Sequence, residues 1–378
     1  MKFLYVSFIN INNKERGIEK KVFAQFNTLK SYFAESFLSC FLNDNEFGFW
    51  DEKLSTRKIL LRKYPFIEIF AFLADVVKSE NIDFIYIRYT HFSSPFFILF
   101  LKKIKKTNPS IKIYMEIPTY PYDQEYKNAS KLAKLIHFVE IIYRKKLKLY
   151  INRIVTLSTD ENIWGIKCLS ISNAVDFESI ELVQNVRQVD LIRLTMVSSM
   201  HFWHGIDRLI ASLRNYLVNN TSGINIVLNI VGRLDVLHAK NLISLVDGDE
   251  ILKSNVVFLG FKSGKELDLI YNNTDIAVGC LGVHRKGVIQ VQSLKNREYA
   301  AKGLPFIISH QDKDFLNKAY VFYASSNEDL IDFFEIIDWF ESLKYKPVDI
   351  RNDVKNLSWQ VQMKKVIDEL FFESNQIK

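Results

Sequence analysis

The 378-residue chain is sparing with the residues that staple small proteins or punctuate fibrous ones. It has three cysteines, seven prolines and thirteen glycines. Cys40, Cys168 and Cys280 show no metal-ligand spacing. They read as core residues of a protein kept in a reducing cytoplasm. No uncharged apolar run reaches the roughly 18 residues that a membrane helix needs. The longest candidate, Phe92 to Leu101, reads as a buried helix. The start, Met1 to Ile9, enters a polar stretch at Asn10, as a first core strand does and a secretory leader does not. Paired aspartates and histidine clusters with ligand spacing are missing, so neither a metal nor a cofactor is expected. A recognition motif or basic–aromatic repeat is missing too, which argues against nucleic acid as a partner.

Apolar residues are plentiful, at 48% of the chain, enough for two ordinary cores. Apolar runs at 2–8, 37–41, 82–88, 111–116, 153–158 and 169–172 read as strands, with helices from Gly17 to about Ser31, over 65–79, from Ser93 and over about 129–149. The pattern restarts at 191–198, 224–231, 255–259, 275–279 and 304–308. Strands alternating with helices predict parallel sheets. The expected division is 1–178, 179–355 and a terminal amphipathic helix in 356–378.

The most informative segment runs from Gln290 to Ile307, QVQSLKNREYAAKGLPFI. It reads as a loop, a short helix carrying Lys295, Arg297 and Glu298, a Gly-Leu-Pro turn and a buried strand. A helix N-terminus near Ser293 and Leu294 offers unpaired amides and the positive end of a dipole, which suits a phosphate. Lys295 is placed to meet a diphosphate, and Glu298, one turn in, to hold a ribose diol. A second segment, Leu194 to Ile210, gives an apolar strand, a polar loop and a helix opening near Gly205. Together the two segments resemble the retaining GT-B glycosyltransferases of family 4, above all bacterial capsule and exopolysaccharide enzymes with Trp-His-Gly-x-Asp-Arg and Leu-Lys-x-Arg-Glu-Tyr segments. The resemblance is good from about residue 190 to 310 and thin before that. Glu298 matches the second of that family's two glutamates, and Gln290 stands where the first is usual. Ser198, beside Ser199, stands at the usual arginine, and His204 at the usual lysine.

The resemblance implies a GT-B fold: two Rossmann-like domains facing a cleft, with the C-terminal helix crossing back to the first. It implies retaining, metal-independent sugar transfer from a nucleotide-sugar donor, itself a substrate, to a glycan acceptor. Lys295, Glu298, Arg88 and His91 are the implied catalytic candidates. Ser198, Ser199, His204, Gly205, Gly232, Arg233, Phe261, Arg285, Gln290, Ser293 and Leu294 are the implied donor contacts. Gly17, Glu116 and Asp123 are assigned to the acceptor side. Each has a plainer reading: Gly17 as a turn, Glu116 and Asp123 as helix caps, the basic run at His284–Lys286 as a solvated loop. Two carboxylates also bring a glycosidase to mind, but the nucleotide-like segments argue otherwise. A nucleotide-sugar 2-epimerase of the same fold, and a non-catalytic subunit supporting a partner transferase, stay open.

Charge is unevenly placed. The net charge is +7, and residues 1–178 hold 27 basic and 19 acidic side chains, leaving the rest of the chain at −1. Clusters at Lys102–Lys106 and Arg144–Lys148 are solvated helix faces or contacts to an acidic partner. The second reading predicts an anionic membrane surface and a lipid-linked acceptor. Ile141, Ile142, Leu147, Leu149 and Tyr150 would be the inserting residues. The expected location is then the inner face of the cytoplasmic membrane, peripherally bound.

Overall fold

The computed structural model describes residues 1–11, 16–50, 57–62, 65–127, 129–184 and 187–375. The chain forms two compact units, one of residues 1–174 with 359–378, the other of residues 175–358.

The first unit begins with β1 (Lys2–Asn10), α1 (Arg16–Lys30) and β2 (Glu35–Asn43). Two short strands follow, β3 (Glu46–Phe49) and β4 (Lys58–Leu60), then α2 (Pro65–Ser79). β5 (Phe84–Arg88), α3 (Pro95–Thr107), β6 (Lys112–Ile117) and α4 (Lys131–Arg144) continue the alternation, and β7 (Arg153–Thr156), β8 (Asn162–Ile163) and β9 (Ile166–Ser170) close it. The nine strands lie in the order β4-β3-β2-β1-β5-β6-β7-β9-β8. From β2 to β9 neighbours run parallel, while β3, β4 and β8 are antiparallel edges. All five residues of β5 are buried, as expected of a strand covered on both faces. Two helices open on designed starts: Ser94 caps α3 by accepting from the Phe97 amide with Pro95 behind it, and Ser130 caps α4 from Ala133.

The second unit runs β10 (Leu191–Val197), α5 (Ile206–Asn219), β11 (Asn225–Val231), α6 (Leu237–Asp247), α7 (Glu250–Lys253) and β12 (Val256–Gly260). Then come α8 (Lys265–Tyr271), β13 (Ile276–Val278), α9 (Leu294–Lys302), β14 (Phe306–Ile308), β15 (Val321–Tyr323), α10 (Phe333–Ser342) and α11 (Pro347–Asp353). Its six strands, in the order β12-β11-β10-β13-β14-β15, are all parallel. The last helix, α12 (Trp359–Asn375), belongs to the first unit, where it packs on α1. Each unit is a Rossmann-like parallel-sheet layer structure, the GT-B plan predicted from the sequence.

Four local expectations need correction. The helix expected over 129–149 stops at Arg144, and a short 3-10 turn covers Leu147–Leu149. The β3–β4 hairpin and β15 have no counterpart in the sequence reading, because strands of three or four residues are too short to show a period. The run from Phe92 to Leu101 does not lie wholly inside: Phe96 and Leu99 of α3 face solvent. Of the cysteines only Cys40 is fully buried; Cys168 and Cys280 are half-buried.

Candidate functional site

In the second unit, the loops after β10, β11 and β13 meet at the carboxyl ends of the strands, where open α/β sheets bind ligands. Backbone approaches backbone there, and glycine is required. A Cβ on Gly232 would lie 2.1 Å from the Ser198 carbonyl oxygen. One on Gly205, which has φ +70°, would lie 2.7 Å from the Leu281 carbonyl carbon. The Ser198 amide donates to the Val231 carbonyl, and the Leu281 amide to that of His204. Ser198 is therefore buried in the loop, its hydroxyl accepting from the Met200 amide, while Ser199 is exposed.

His204 is buried, and its Nδ1 has no hydrogen-bond partner among the described residues. Burial first, then the Lys295 ammonium, pushes its imidazole down to about 2. It is thus a neutral group, and the cationic role that its place in the loop implied does not fall to it.

The segment carrying the resemblance is held from both sides. The Val291 amide donates to the Gln311 carbonyl and the Gln311 amide to that of Ile289. Gln290 is exposed between them, its side-chain amide 3.4 Å from that of Gln311. Ser293 is the N-cap of α9 but makes no side-chain capping bond. Leu294, half-buried, is the first helical residue. Lys295 follows it, half-buried, with no ion pair among the described residues. Burial lowers its ammonium, against the pull of Cys280 and Glu298. Glu298, one turn on, is half-buried.

The neighbours of these residues hold the helix. Arg297 is fully buried and ion-paired with Asp312 and Asp314, over the ring of Phe315. Asn296 donates to Asp312 at 3.0 Å, and its Oδ1 is buried without a partner. The C-cap Gly303 has φ +80°, and a Cβ there would strike the Pro347 carbonyl at 2.4 Å. Asn296 was missed by the sequence reading, and its position next to Lys295 was its only signal.

The other donor-side candidates have these surroundings. Arg285 spends its guanidinium on Asp207, Glu328 and the Phe202 carbonyl, with bonds of 2.6–2.9 Å. It ties the loop after β13 to the start of α5. His284 joins the same clamp through Glu328, and Lys286 lies over Trp203. Arg233 is exposed and paired with Asp235 at 2.8 Å. Phe261 is exposed, just after Gly260 at φ +72°.

In the first unit, Glu116 is wholly buried and receives Lys21 at 2.9 Å, Arg88 at 3.2 Å, the Tyr86 hydroxyl at 2.7 Å and the Gln25 amide at 2.8 Å. Burial pushes its carboxyl up, but Lys21 and Arg88 outweigh that and hold it at about 2. Glu116 and Arg88 are thus paired with each other inside the unit. Asp123 is also engaged, with Arg144 and His137. His91, at φ +61°, stacks on Tyr122 at 3.6 Å and shares a 2.9 Å hydrogen bond with the Tyr126 hydroxyl. Burial, followed by His137, lowers its imidazole to about 4. Gly17 lies exposed in the first turn of α1, and a Cβ there would meet nothing within 4 Å. The loop before it, residues 12–15, lies outside the described residues.

The basic clusters are smaller than their sequence. Arg144 is drawn into Asp123 and Glu140, Lys103 pairs with Asp75, and Lys105 donates to the Ile111 carbonyl. Leu147 is buried and Ile141 and Tyr150 are half-buried, so the insertion expected over 141–150 is left with Ile142 and Leu149. Among the described residues no group of three or more His, Cys, Asp or Glu is placed to hold a metal ion, and no helix is long and apolar enough to cross a membrane.

No protein-family model matches this chain, and no curated protein matches its sequence. Solved structures do match its fold over its whole length. HepE of Anabaena in complex with UDP superposes with a TM-score of 0.67 at 12% identity, covering 98% of this chain and 99% of that one. The catalytic domain of starch synthase IV from Arabidopsis thaliana, bound to ADP and acarbose, gives 0.64 at 11%, covering 99% of both. Sucrose-phosphate synthase from Thermosynechococcus elongatus gives 0.62 at 12%, covering both chains entirely. The chain therefore has the fold of the GT-B glycosyltransferases.

Proposed function

We propose that this chain is a retaining glycosyltransferase that moves a sugar from a nucleotide-sugar to a hydroxyl of a lipid-linked glycan, in surface polysaccharide synthesis at the inner face of the cytoplasmic membrane. One observation carries the reading. Lys295 is a desolvated ammonium without an ion pair among the described residues, in the first turn of a helix whose N-cap side chain is not used. A buried cation is costly unless a counter-charge meets it. A diphosphate at this helix start supplies that charge. The neutral, unsaturated imidazole of His204 lies close enough to feel the Lys295 charge and adds a hydrogen bond. Glu298 holds the ribose. The fold neighbours bound to UDP and to ADP support the donor class.

In the transfer, the bond from the anomeric carbon to the diphosphate oxygen breaks and a bond to the acceptor oxygen forms on the same face. The acceptor proton passes to the departing phosphate, so no dedicated base is named. Negative charge grows on the leaving oxygen, and Lys295 with the amides at Ser293–Leu294 stabilises it most at that stage. The second unit takes the donor, and the first, with Gly17 and the His91 region, takes the acceptor. Titration with UDP, ADP and GDP, followed by incubation with membrane extract and labelled nucleotide-sugars, tests this. Tight nucleotide binding with transfer to lipid is expected. Nucleotide binding with sugar epimerisation alone would select the 2-epimerase, and no nucleotide binding would leave a non-catalytic subunit.

A further inference from the structure

Helix α4 is built inside out. His137, Glu140 and Arg144 recur at helical spacing and form its inward stripe, the first two buried and Arg144 half-buried. Glu140 accepts from the Tyr89 hydroxyl at 2.6 Å and the Tyr122 hydroxyl at 2.7 Å, and His137 meets Asp123 at 3.2 Å. The other face is apolar and faces solvent: Leu132 is 67% exposed, Leu135 60% and Phe138 59%. A surface helix ordinarily does the reverse. Beside it a groove of about 620 Å³ is lined by Phe66, Ile67, Phe92, Phe96, Leu135 and Ile136, with His91 and Tyr126 among its polar members. Leu99, 60% exposed, extends the apolar surface along α3.

The surroundings choose the occupant. Residues 127–150 carry seven basic side chains and one acid, Glu140, which is buried. Lys131 and Lys134 flank the apolar face, Lys145, Lys146 and Lys148 follow it, and Lys102 and Lys106 stand exposed on α3. An apolar centre with a mainly basic rim, in which Asp123 is paired with Arg144, Asp75 with Lys103, and Glu68 and Glu125 are the remaining acids, matches a surface that is apolar within and anionic at its edge. We infer that the face of α2, α3 and α4 docks on an anionic lipid bilayer and that the groove takes one apolar lipid chain. This rests on the membrane-acceptor reading above and moves the inserting residues from 141–150 to the outer face of α4.

The full chain is sedimented with phosphatidylglycerol vesicles and with phosphatidylcholine vesicles at low salt, and UDP binding is measured alongside. It should pellet with the first and not the second, and high salt should release it. Leu135→Asp/Phe138→Asp changes only exposed positions and should weaken pelleting at least roughly tenfold, with UDP affinity unmoved. Monomeric lysophosphatidylglycerol probes the groove: one equivalent should bind, and Ile136→Trp should block it while pelleting persists. A chain that binds UDP but ignores phosphatidylglycerol vesicles overturns the inference and leaves the transferase reading standing. So does a dimer that Leu135→Asp/Phe138→Asp makes monomeric, since a second copy would then be the cover. A wild-type chain that pellets but does not bind lysophosphatidylglycerol overturns the groove assignment. Loss of UDP binding by the wild-type chain would instead strike the function proposed above.

Discussion

Glu116 and Glu298 both lie where functional carboxylates are expected, and the molecule treats them in opposite ways. Glu116, at the carboxyl end of β6, is sealed with Lys21, Arg88, Tyr86 and Gln25 around it. Glu298 is half-buried on α9, three residues after a lysine that has no ion pair among the described residues. The first unit spends its buried charges on each other and leaves an apolar surface outside. The second gathers glycine-lined loops, a desolvated ammonium and a neutral imidazole at the ends of its strands. A buried carboxylate with every lone pair engaged is a structural device. A half-buried, desolvated ammonium with no ion pair among the described residues suits an anionic ligand.

The largest expected effect breaks the first half of this contrast. Glu116→Gln leaves Lys21 and Arg88 buried without their shared anion, so unfolding by denaturant should show a loss of about 3–5 kcal/mol. The wild-type group also predicts a pH dependence. Its folded value, about 2, lies below that of an unfolded carboxyl, so its contribution is complete above the ordinary carboxylate range. That contribution disappears as pH falls toward 2, and the Gln variant should lose less stability over that window. A variant as stable as the wild type would mean that the network is incidental. The second half is broken by Lys295→Ala, which should lower turnover roughly 10²–10³-fold. Ground-state donor affinity should move far less, because the charge on the leaving oxygen is greatest during departure. Unchanged turnover would make Lys295 an ordinary buried lysine.

The same contrast explains what could be read beforehand. Parallel layers were legible because their strands are continuous apolar runs: all of β5 is buried, and α2 spans the expected 65–79. The places of Glu298 and Lys295 on a helix were legible because both sit in one short segment whose order fixes them. The partners of Arg285 and Glu116 were not legible because they are distant in sequence: Asp207 and Glu328 for the first, Lys21 and Gln25 for the second. No local pattern reveals that a charge is already matched. The orientation of α4 was hidden for a related reason. Its sequence is amphipathic either way round, and only Asp123, Tyr89 and Tyr122 decide that the polar stripe turns inward.

Glu298→Gln sharpens the comparison from the second unit. It keeps the shape and removes the charge, so nucleotide-sugar binding should weaken by about 1.5–3 kcal/mol in calorimetry. An unmoved affinity in a folded variant would take the ribose away from Glu298.

The smallest effect concerns Gly17. It lies in the first turn of α1, exposed, and a Cβ would meet nothing within 4 Å. Its φ is not in the left-handed region, so neither packing nor backbone geometry demands glycine. Helix propensity and the smaller entropy of the unfolded chain both favour alanine there. Gly17→Ala should therefore stabilise the protein by about 0.5–1 kcal/mol in thermal or denaturant unfolding. A glycine that costs stability and relieves no internal contact is expected where a ligand approaches the backbone. Under the proposed assignment, the same variant should raise the acceptor KM while leaving UDP affinity unchanged. Higher stability with an unaltered acceptor KM would make Gly17 a plain helix start and remove it from the acceptor side.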